Sequence, residues 1–141
     1  EVTPFLTSLG EINERPEKDG TMKLLTHKES GKWVKDPIND DLSLILKTKE
    51  GLVLICGCCH VGLLNTCEYV TKKYENEKIV SIIGGTHMLR FTEEEVADVA
   101  EKMEKYGKPT LYLGHCTGEK TINQLRQHFG EEIVKQFHVG T

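Results

Sequence analysis

Three histidines of this sequence each follow a short apolar segment and one or two glycines. The segments read LVLICGCCH up to His60, IVSIIGGTH up to His87 and TLYLGH up to His115. In open α/β sheets, ligands bind beyond the carboxyl ends of the strands, where glycine lets the chain turn sharply. Histidine is a common metal ligand that also exchanges protons near neutral pH. Three imidazoles at neighbouring strand ends would therefore suit a metal site or another polar site.

The recurrence distinguishes these histidines from the other three. A single histidine after a strand is more often a hydrogen-bonded structural group than a ligand, so it is the repetition at three strand ends that favours a shared site. His27, His128 and His138 have no such context, and we interpret them as surface or structural residues.

The cysteines are odd in number and mostly clustered. They are Cys56, Cys58, Cys59, Cys67 and Cys116. Disulfide frameworks of small secreted proteins are spaced more widely along the chain, so we expect reduced thiols in a reducing, cytoplasmic compartment. Cys56 and Cys67 lie on apolar faces and are expected in the core. The Cys58-Cys59-His60 segment offers thiolate ligands, but no second cysteine pair completes a four-ligand zinc site.

Two patterns around Cys116 resemble phosphate-binding loops but lack an essential feature. Cysteine phosphatases need an arginine six residues after the cysteine, where this chain has Ile122. The P-loop needs four residues between its glycines and a lysine directly after the second. Here three residues separate Gly114 from Gly118, and Glu119 precedes the lysine. We therefore reject the phosphatase interpretation, and the P-loop interpretation has weak support.

The apolar periodicity predicts a hairpin followed by three strand–helix repeats. Alternation over LSLILKT and LVLIC is typical of strands, and a helical period begins after Gly57. Thr92 and Glu95 form a capping-box pattern at the start of one helix. Strands that alternate with helices imply right-handed crossovers and an at least partly parallel sheet. The predicted segments are strands at 22–27, 42–48, 52–56, 79–83, 110–113 and 133–139, helices at 62–75, 93–106 and 118–129, and loops at 1–20 and 28–40.

Length and composition describe an ordinary globular domain. The 141 residues, 38% of them hydrophobic and 28% charged, suffice for one domain with a core. The net charge of −4 gives no indication of a basic face for nucleic acid. No segment approaches the roughly 18 apolar residues of a membrane span. We therefore expect neither a nucleic-acid partner nor a membrane.

Four segments of the chain, in order, resemble the second half of a metallo-β-lactamase-fold hydrolase. The resemblance is greatest to the dihydropterin-ribofuranosylaminobenzene-phosphate synthase-like group of that superfamily. The segments are DDLSL at 40–44, GCCHVGLLNT at 57–66, IGGTHM at 83–88 and GHCTG at 114–118. The resemblance implies an α/β fold, the C-terminal half of an αββα sandwich, with a mixed sheet and about three helices.

The same resemblance implies roles for individual residues. His115 matches the last metal-ligand position of the superfamily, and His60 matches a second ligand position. Cys59 stands where the related segment usually has serine, and it is a reserve ligand. His87 matches a position that faces the substrate, which makes it the candidate catalytic residue. The implied cofactor is a divalent metal, zinc with manganese or iron as alternatives. Its activated water attacks an ester or phosphoester of a small-molecule substrate, phosphorylated or not.

One departure from the superfamily pattern concerns completeness. The signature His-x-His-x-Asp-His, which supplies most ligands, is absent, since this sequence contains no His-x-His at all. The chain also begins Glu-Val-Thr-Pro without methionine. We therefore expect residues 1–141 to be a single partial domain, a fragment without the N-terminal half. The isolated chain should bind metal weakly or not at all and should not hydrolyse esters.

A partial domain also implies a partner. We expect either the missing half of the domain or self-association through an exposed apolar sheet face. Two other functions stay open: a non-catalytic phosphate- or nucleotide-binding α/β module, and an interaction fragment that pairs with the missing half. The apolar residues that we assign to one sheet face or the other are Leu44, Leu46, Val53, Ile55, Ile82 and Leu111.

Overall fold

A computed structural model of the chain describes residues 2–20, 26–138 and 140. Within these residues it contains eight strands and three α-helices, with short 3-10 segments at Glu104–Tyr106 and His115–Thr117. The strands are β1 (Leu6–Ser8), β2 (Thr26–Glu29), β3 (Lys32–Lys35), β4 (Ser43–Lys47), β5 (Leu52–Cys56), β6 (Ile79–Gly84), β7 (Thr110–Leu113) and β8 (Val134–Gln136). The helices are α1 (Leu63–Lys73), α2 (Glu93–Met103) and α3 (Glu119–Phe129).

Six strands form one mixed sheet in the order β1-β4-β5-β6-β7-β8. The β1–β4 and β4–β5 pairs are antiparallel, and the following three pairs are parallel. The parallel strands follow one another in chain order with one helix between each pair, and such crossovers are right-handed. All three helices must therefore lie on the same face of the sheet. The predicted hairpin, strand–helix repeats and α/β class are confirmed.

The helix-covered face holds the core. Ile45, Leu54, Ile82, Leu111 and Val134 are neighbours across the sheet register, and each is at most 1% exposed. The apolar faces of the three helices join the same cluster. The helix residues of this cluster are Leu63, Leu64, Cys67, Val70, Val96, Val99, Ala100, Met103, Ile122 and Leu125. The core is therefore a single layer between the sheet and its helices.

The opposite face of the sheet carries a second apolar row. Leu44, Ile55, Ile83 and Tyr112 are neighbours in register, they are only half-buried, and none of them belongs to the core cluster. Leu46 and Val53 lie beside each other on the same face. We call these six residues the open face. Four of the six apolar residues assigned from the sequence lie here, whereas Ile82 and Leu111 lie under the helices.

The open face should make the chain self-associate. An exposed apolar surface drives association because its burial removes apolar area from water. Ile55→Lys places a charge at the centre of this face and should shift the chain towards monomer. Val2→Lys, at a 60% exposed position outside this face, is the matched control. Sedimentation equilibrium checks the prediction, and a wild-type chain that stays monomeric at every concentration would contradict it.

Residues 28–40, which were predicted as loop, contain a hairpin instead. β2 and β3 are paired antiparallel around Ser30 and Gly31, whose φ angles are 49° and 82°. Two positive φ angles are what a tight two-residue hairpin turn requires, so the Ser-Gly pair was the missed signal. The predicted strand at 22–27 falls largely outside the described residues, and only its last two residues lie in β2.

Other element predictions differ at their ends. Strand β1 lies within the first twenty residues, which were predicted as loop, because its backbone pairs with the edge of β4. Strand β8 is shorter than the predicted segment 133–139. The capping box of α2 is confirmed: the Glu95 amide donates to Thr92 Oγ1 at 3.3 Å, and the Thr92 amide donates to Glu95 Oε2 at 2.9 Å. Among the described residues, no helix has both the length and the apolar character to cross a bilayer.

Candidate functional site

The sheet register brings the three histidine loops to one edge. Cys56, Gly84 and Leu113, the last residues of β5, β6 and β7, are neighbours in register. The loops that follow, at 57–60, 85–87 and 114–116, therefore leave the sheet side by side. The first residue of β4 pairs with Cys56, so the preceding segment reaches this edge too. The structure thus places His60, His87 and His115 at the carboxyl edge of the parallel strands.

Each of the three loops contains one non-glycine residue in the left-handed conformation. The φ angles are 59° for Cys59, 49° for His87 and 52° for His115. Such residues are uncommon, and they persist only where the surrounding structure over-determines them, often at functional sites. The backbone conformation, and not the strand pattern alone, sets the direction in which these side chains leave the edge.

Gly85 makes room for the loop that follows β7. A Cβ at this position would lie 2.7 Å from Cys116 Sγ and 3.1 Å from His115 Cδ2. Any larger residue would push these two side chains away from the end of β6. Gly20 has a similar role on the other side, since its Cβ would lie 2.9 Å from His87 Cβ, and its amide donates to the His60 carbonyl at 2.9 Å. The N-terminal segment therefore covers part of the site.

His60 and His87 form an imidazole pair. Their ring centroids are 4.1 Å apart with an interplanar angle of 32°. Burial, followed by the nearby charge of His60, lowers the pKa of His87, while the carboxylate of Asp41 opposes the change. Nδ1 of His87 is buried and has no hydrogen-bond partner among the described residues. A neutral imidazole with a buried free nitrogen can bind a metal or exchange a hydrogen bond with a ligand.

In the metal-free chain, His87 should make stability fall as the pH drops below about 6.5. Because the pKa of His87 lies below its ordinary 6.5 in the folded state, the unfolded state binds this proton more readily. Stability therefore rises with pH up to the unfolded pKa. Urea unfolding of wild type and His87→Asn at several pH values checks this, since asparagine tolerates the positive φ. If wild type and His87→Asn lost the same stability on acidification, the lowered pKa of His87 would be contradicted.

His115 lies in a separate cluster with two thiols. Cys58 Sγ is 3.1 Å from His115 Nε2, and Cys116 Sγ donates to the Cys58 carbonyl at 3.4 Å. The ligand atoms of Cys58, His115 and Cys116 all lie within 4.8 Å of one another. His115 is exposed and both cysteines are half-buried. Burial raises the pKa of Cys116 to about 11, so without a metal this thiol is protonated.

Sequence reasoning missed this cluster. It considered Cys58 only with its chain neighbours, and it used Cys116 only to test phosphate-binding loops. The available signal was the repetition of a cysteine beside a histidine after two strands that flank the same central strand. Gly85, directly after that central strand, is the residue that lets the two loops meet.

The reserve ligand Cys59 does not fit its predicted role. It is fully buried, and its Sγ lies 3.4 Å from Thr66 Oγ1. A hydrogen bond with Cys56 and burial raise the pKa of the Cys59 thiol well above its ordinary value, so it stays a neutral core residue. Cys56 and Cys67 are buried as predicted. Cys59 therefore belongs with them, because its left-handed backbone turns the side chain into the core.

An acidic cavity adjoins the His60 side of the edge. Its volume is about 380 Å³, and its lining includes Asp36, Asp40, Asp41, Cys58 and His60. Asp41 Oδ2 accepts a hydrogen bond from the Val61 amide at 3.1 Å, which fixes the loop that carries His60. The cavity therefore opens beside that loop.

The remaining histidines take no part in this edge. His128, on α3, contacts Glu104 Oε1 at 3.3 Å, His138 is exposed near the end of the chain, and His27 lies in the β2–β3 hairpin. Their interpretation as structural or surface residues agrees with these positions.

The edge has the donor chemistry of a divalent metal site. It offers the unsatisfied buried Nδ1 of His87 and the clustered nitrogen and sulfur atoms around His115. Imidazole and thiolate are ligands of zinc and of neighbouring transition metals. The residues present therefore fit such an ion. The individual ligand roles assigned from the sequence stay predictions.

Comparison with known proteins gives relatives in sequence and in structure. No protein-family model matches the chain. It is 30% identical, over 97% of its length and 47% of the relative's, to 7,8-dihydropterin-6-methyl-4-(beta-D-ribofuranosyl)-aminobenzene-5'-phosphate synthase of Methanocaldococcus jannaschii. It is 34% identical over 99 residues, 70% of this chain and 36% of the relative, to the uncharacterized protein MJ0448 of the same organism.

A solved structure has the same fold over about half its length. The crystal structure of Tm1679, described as a metal-dependent hydrolase of the beta-lactamase superfamily, matches with a TM-score of 0.83 and 28% sequence identity. The match covers 97% of this chain and 51% of that one. The chain thus spans about half the length of the relatives that it matches. The chain therefore shares the fold of a metal-dependent hydrolase of the β-lactamase superfamily over about half the length of that protein.

Proposed function

We propose that this chain is the C-terminal part of a metal-dependent hydrolase that acts on an ester or phosphoester. The observation that carries the proposal is the meeting of three histidine loops at one sheet edge, in a fold shared with a metal-dependent hydrolase. In the proposal His60 and His115 are metal ligands and His87 faces the substrate.

The proposed ion is zinc, with manganese or iron as alternatives. Nitrogen and sulfur donors favour zinc over the harder cations, which prefer oxygen. When bound, such a metal polarises the scissile bond and lowers the pKa of a bound water. His60 and His115 hold it from this chain, and the further ligands come from a segment with the His-x-His-x-Asp-His motif.

His87 has the properties of a group that handles a proton beside the substrate. Its lowered pKa keeps the ring neutral near neutral pH, so that one nitrogen donates a hydrogen bond and the other accepts one. The His60 ring packs against it at a centroid distance of 4.1 Å, with an interplanar angle of 32°.

The alternative function, a non-catalytic phosphate- or nucleotide-binding module, has less support. Three glycine amides at the sheet edge already donate hydrogen bonds within the protein. The amide of Gly57 donates to Leu42, that of Gly85 to Gly57 and that of Gly114 to Gly84, at 3.0–3.3 Å in each case. An anion cradle needs such amides to point at the ligand. The amides of these three residues are therefore not available to an anion.

A second candidate reaction is transfer of a group on a phosphate-bearing small molecule. The observation that favours it is the 30% identity to a synthase whose name contains a 5'-phosphate. Transfer and hydrolysis differ in the acceptor, which is water only in hydrolysis. The two reactions share the metal site proposed above.

One experiment separates these reactions. The chain, joined to the segment by which Tm1679 is longer, is loaded with zinc or manganese. It is given phosphodiester and carboxylic-ester substrates, with a small alcohol as the alternative acceptor, in water labelled with heavy oxygen. Label in the product supports hydrolysis. Turnover without label supports transfer, and no metal-dependent turnover with any of these substrates would contradict the proposed function.

A further inference from the structure

The thiol–imidazole cluster around His115 has more donors than the hydrolase proposal uses. That proposal draws only His115 from this cluster and places Cys58 and Cys116 beside it without a role. Two sulfur atoms and one nitrogen on converging loops form a ligand set in their own right.

We propose that Cys58, His115 and Cys116 form a soft-metal site that is complete within this chain. The site binds one zinc-class ion through two thiolates and Nε2 of His115. It uses the same His115 as the proposed hydrolytic centre, so the two sites are alternatives, because one imidazole nitrogen binds one ion at a time. The thiolate site needs no ligand from another segment. It therefore changes the sequence-based expectation of weak or absent metal binding, which counted His60, His87, His115 and Cys59.

The distances between the donors suit a single ion. Bond lengths of about 2.3 Å to sulfur and about 2.0 Å to nitrogen place two donors of one tetrahedral zinc roughly 3.5–3.8 Å apart. Cys58 Sγ and His115 Nε2 are 3.1 Å apart, and all three ligand atoms lie within 4.8 Å of one another. Small side-chain rotations therefore bring the three atoms to coordination distance.

The backbone holds the donors near this arrangement before an ion arrives. Gly85 donates to the Gly57 carbonyl at 3.0 Å, and Gly114 donates to the Gly84 carbonyl at 3.3 Å. These hydrogen bonds tie the Cys58 loop and the His115 loop to the same central strand. Because Gly85 lacks a side chain, Cys116 and His115 pack directly over it. Little loop ordering remains to oppose binding.

Exposure gives an ion access to the cluster and leaves a coordination position open. His115 is exposed, and Cys58 and Cys116 are half-buried. Each thiol releases its proton to solvent as its sulfur binds the ion, so that two thiolates balance the charge of a divalent cation. Three protein ligands with one remaining position for water is an arrangement that zinc adopts in proteins.

Cobalt substitution tests this site directly. The reduced 141-residue chain is freed of metal with a chelator and titrated with Co²⁺ without oxygen. A thiolate-to-cobalt charge-transfer band should grow in the near ultraviolet, saturate at about one ion per chain, and disappear when zinc displaces cobalt. Because the readout is the spectrum of this chain, it does not depend on catalysis.

Variants assign the band to its ligands. Cys58→Ser and Cys116→Ser should each reduce the band by about half and weaken zinc binding by more than the roughly 10–100-fold that loss of an outer-shell partner costs. His115→Asn should keep the band but weaken binding. Cys67→Ala, which alters a thiol in the core on α1, should change neither. Circular dichroism confirms that each variant is folded.

The spectra of the wild-type chain and of one double variant can overturn the inference. Absence of the band, or a band that survives in the Cys58→Ser/Cys116→Ser double variant, contradicts a thiolate site. If cobalt binds without a charge-transfer band, nitrogen or oxygen ligands hold it, and this inference fails while the hydrolase proposal is unaffected. If the band appears but the longer protein shows no turnover, the inference stands and the hydrolase proposal fails.

Discussion

His115→Asn should lower metal-dependent turnover by about 1,000-fold in a protein that joins this chain to the rest of the domain. A catalytic metal contributes several kcal/mol of transition-state stabilisation, and each ~1.4 kcal/mol corresponds to a factor of ten. His115 has a φ of 52°, and asparagine is among the residues that tolerate this conformation. The variant therefore removes the ligand without forcing the loop to refold.

The matched control is His128→Asn. His128 lies on α3 and contacts Glu104, away from the histidine edge, so turnover should stay within about twofold of wild type because exposed ion pairs contribute little. Turnover with saturating metal measures both variants. Full activity in His115→Asn would remove His115 from the proposed ligand set.

Gly84→Ala should destabilise the chain by about 3–5 kcal/mol, which is exceptional for one methyl group. A Cβ at this position would lie 2.0 Å from the Cys56 carbonyl oxygen, and the φ angle is 134°. The strand pair β5–β6 would have to separate where the histidine loops begin. Since a domain of this size has a stability of roughly 5–15 kcal/mol, much of it would be lost.

Gly107→Ala separates two causes of the stability loss expected for Gly84→Ala, the close contact of the added Cβ and the positive φ angle. Gly107 also has a positive φ, 81°, but no heavy atom lies within 4 Å of an added Cβ. Gly107→Ala should therefore lower the free energy of unfolding by about 1–2 kcal/mol, the cost of alanine in the left-handed conformation. Denaturant unfolding compares the two variants. Equal losses would show that the contact with Cys56 does not constrain the sheet.

The elements that carry a strong periodic pattern could be predicted from sequence. The β4–β5 hairpin and the three strand–helix repeats follow from alternation and from the 3.6-residue period, and their order dictates a common helix face. Strand β1 could not be found this way, because three residues that pair with an edge strand leave no pattern. The β2–β3 hairpin could have been predicted from the Ser30-Gly31 pair.

The site could be predicted only to the level of the sheet edge. Strand order and glycine positions place His60, His87 and His115 together, but they do not give the direction of each side chain. The positive φ angles of Cys59 and His115 decide that Cys59 enters the core and that His115 meets the two thiols. Those angles depend on tertiary contacts such as the one at Gly85, which sequence spacing does not contain.

The measurement that tests the central claim most directly is metal-dependent turnover of the 141-residue chain, alone and joined to the segment with the His-x-His-x-Asp-His motif. Both proteins are treated with chelator, restored with zinc or manganese, and assayed on phosphodiester and ester substrates. The account predicts turnover by the joined protein that chelator removes and metal restores, and none by the chain alone, even with an ion at the thiolate cluster. Robust metal-dependent turnover by the monomeric chain alone, or activity of the joined protein that survives chelation, would contradict it.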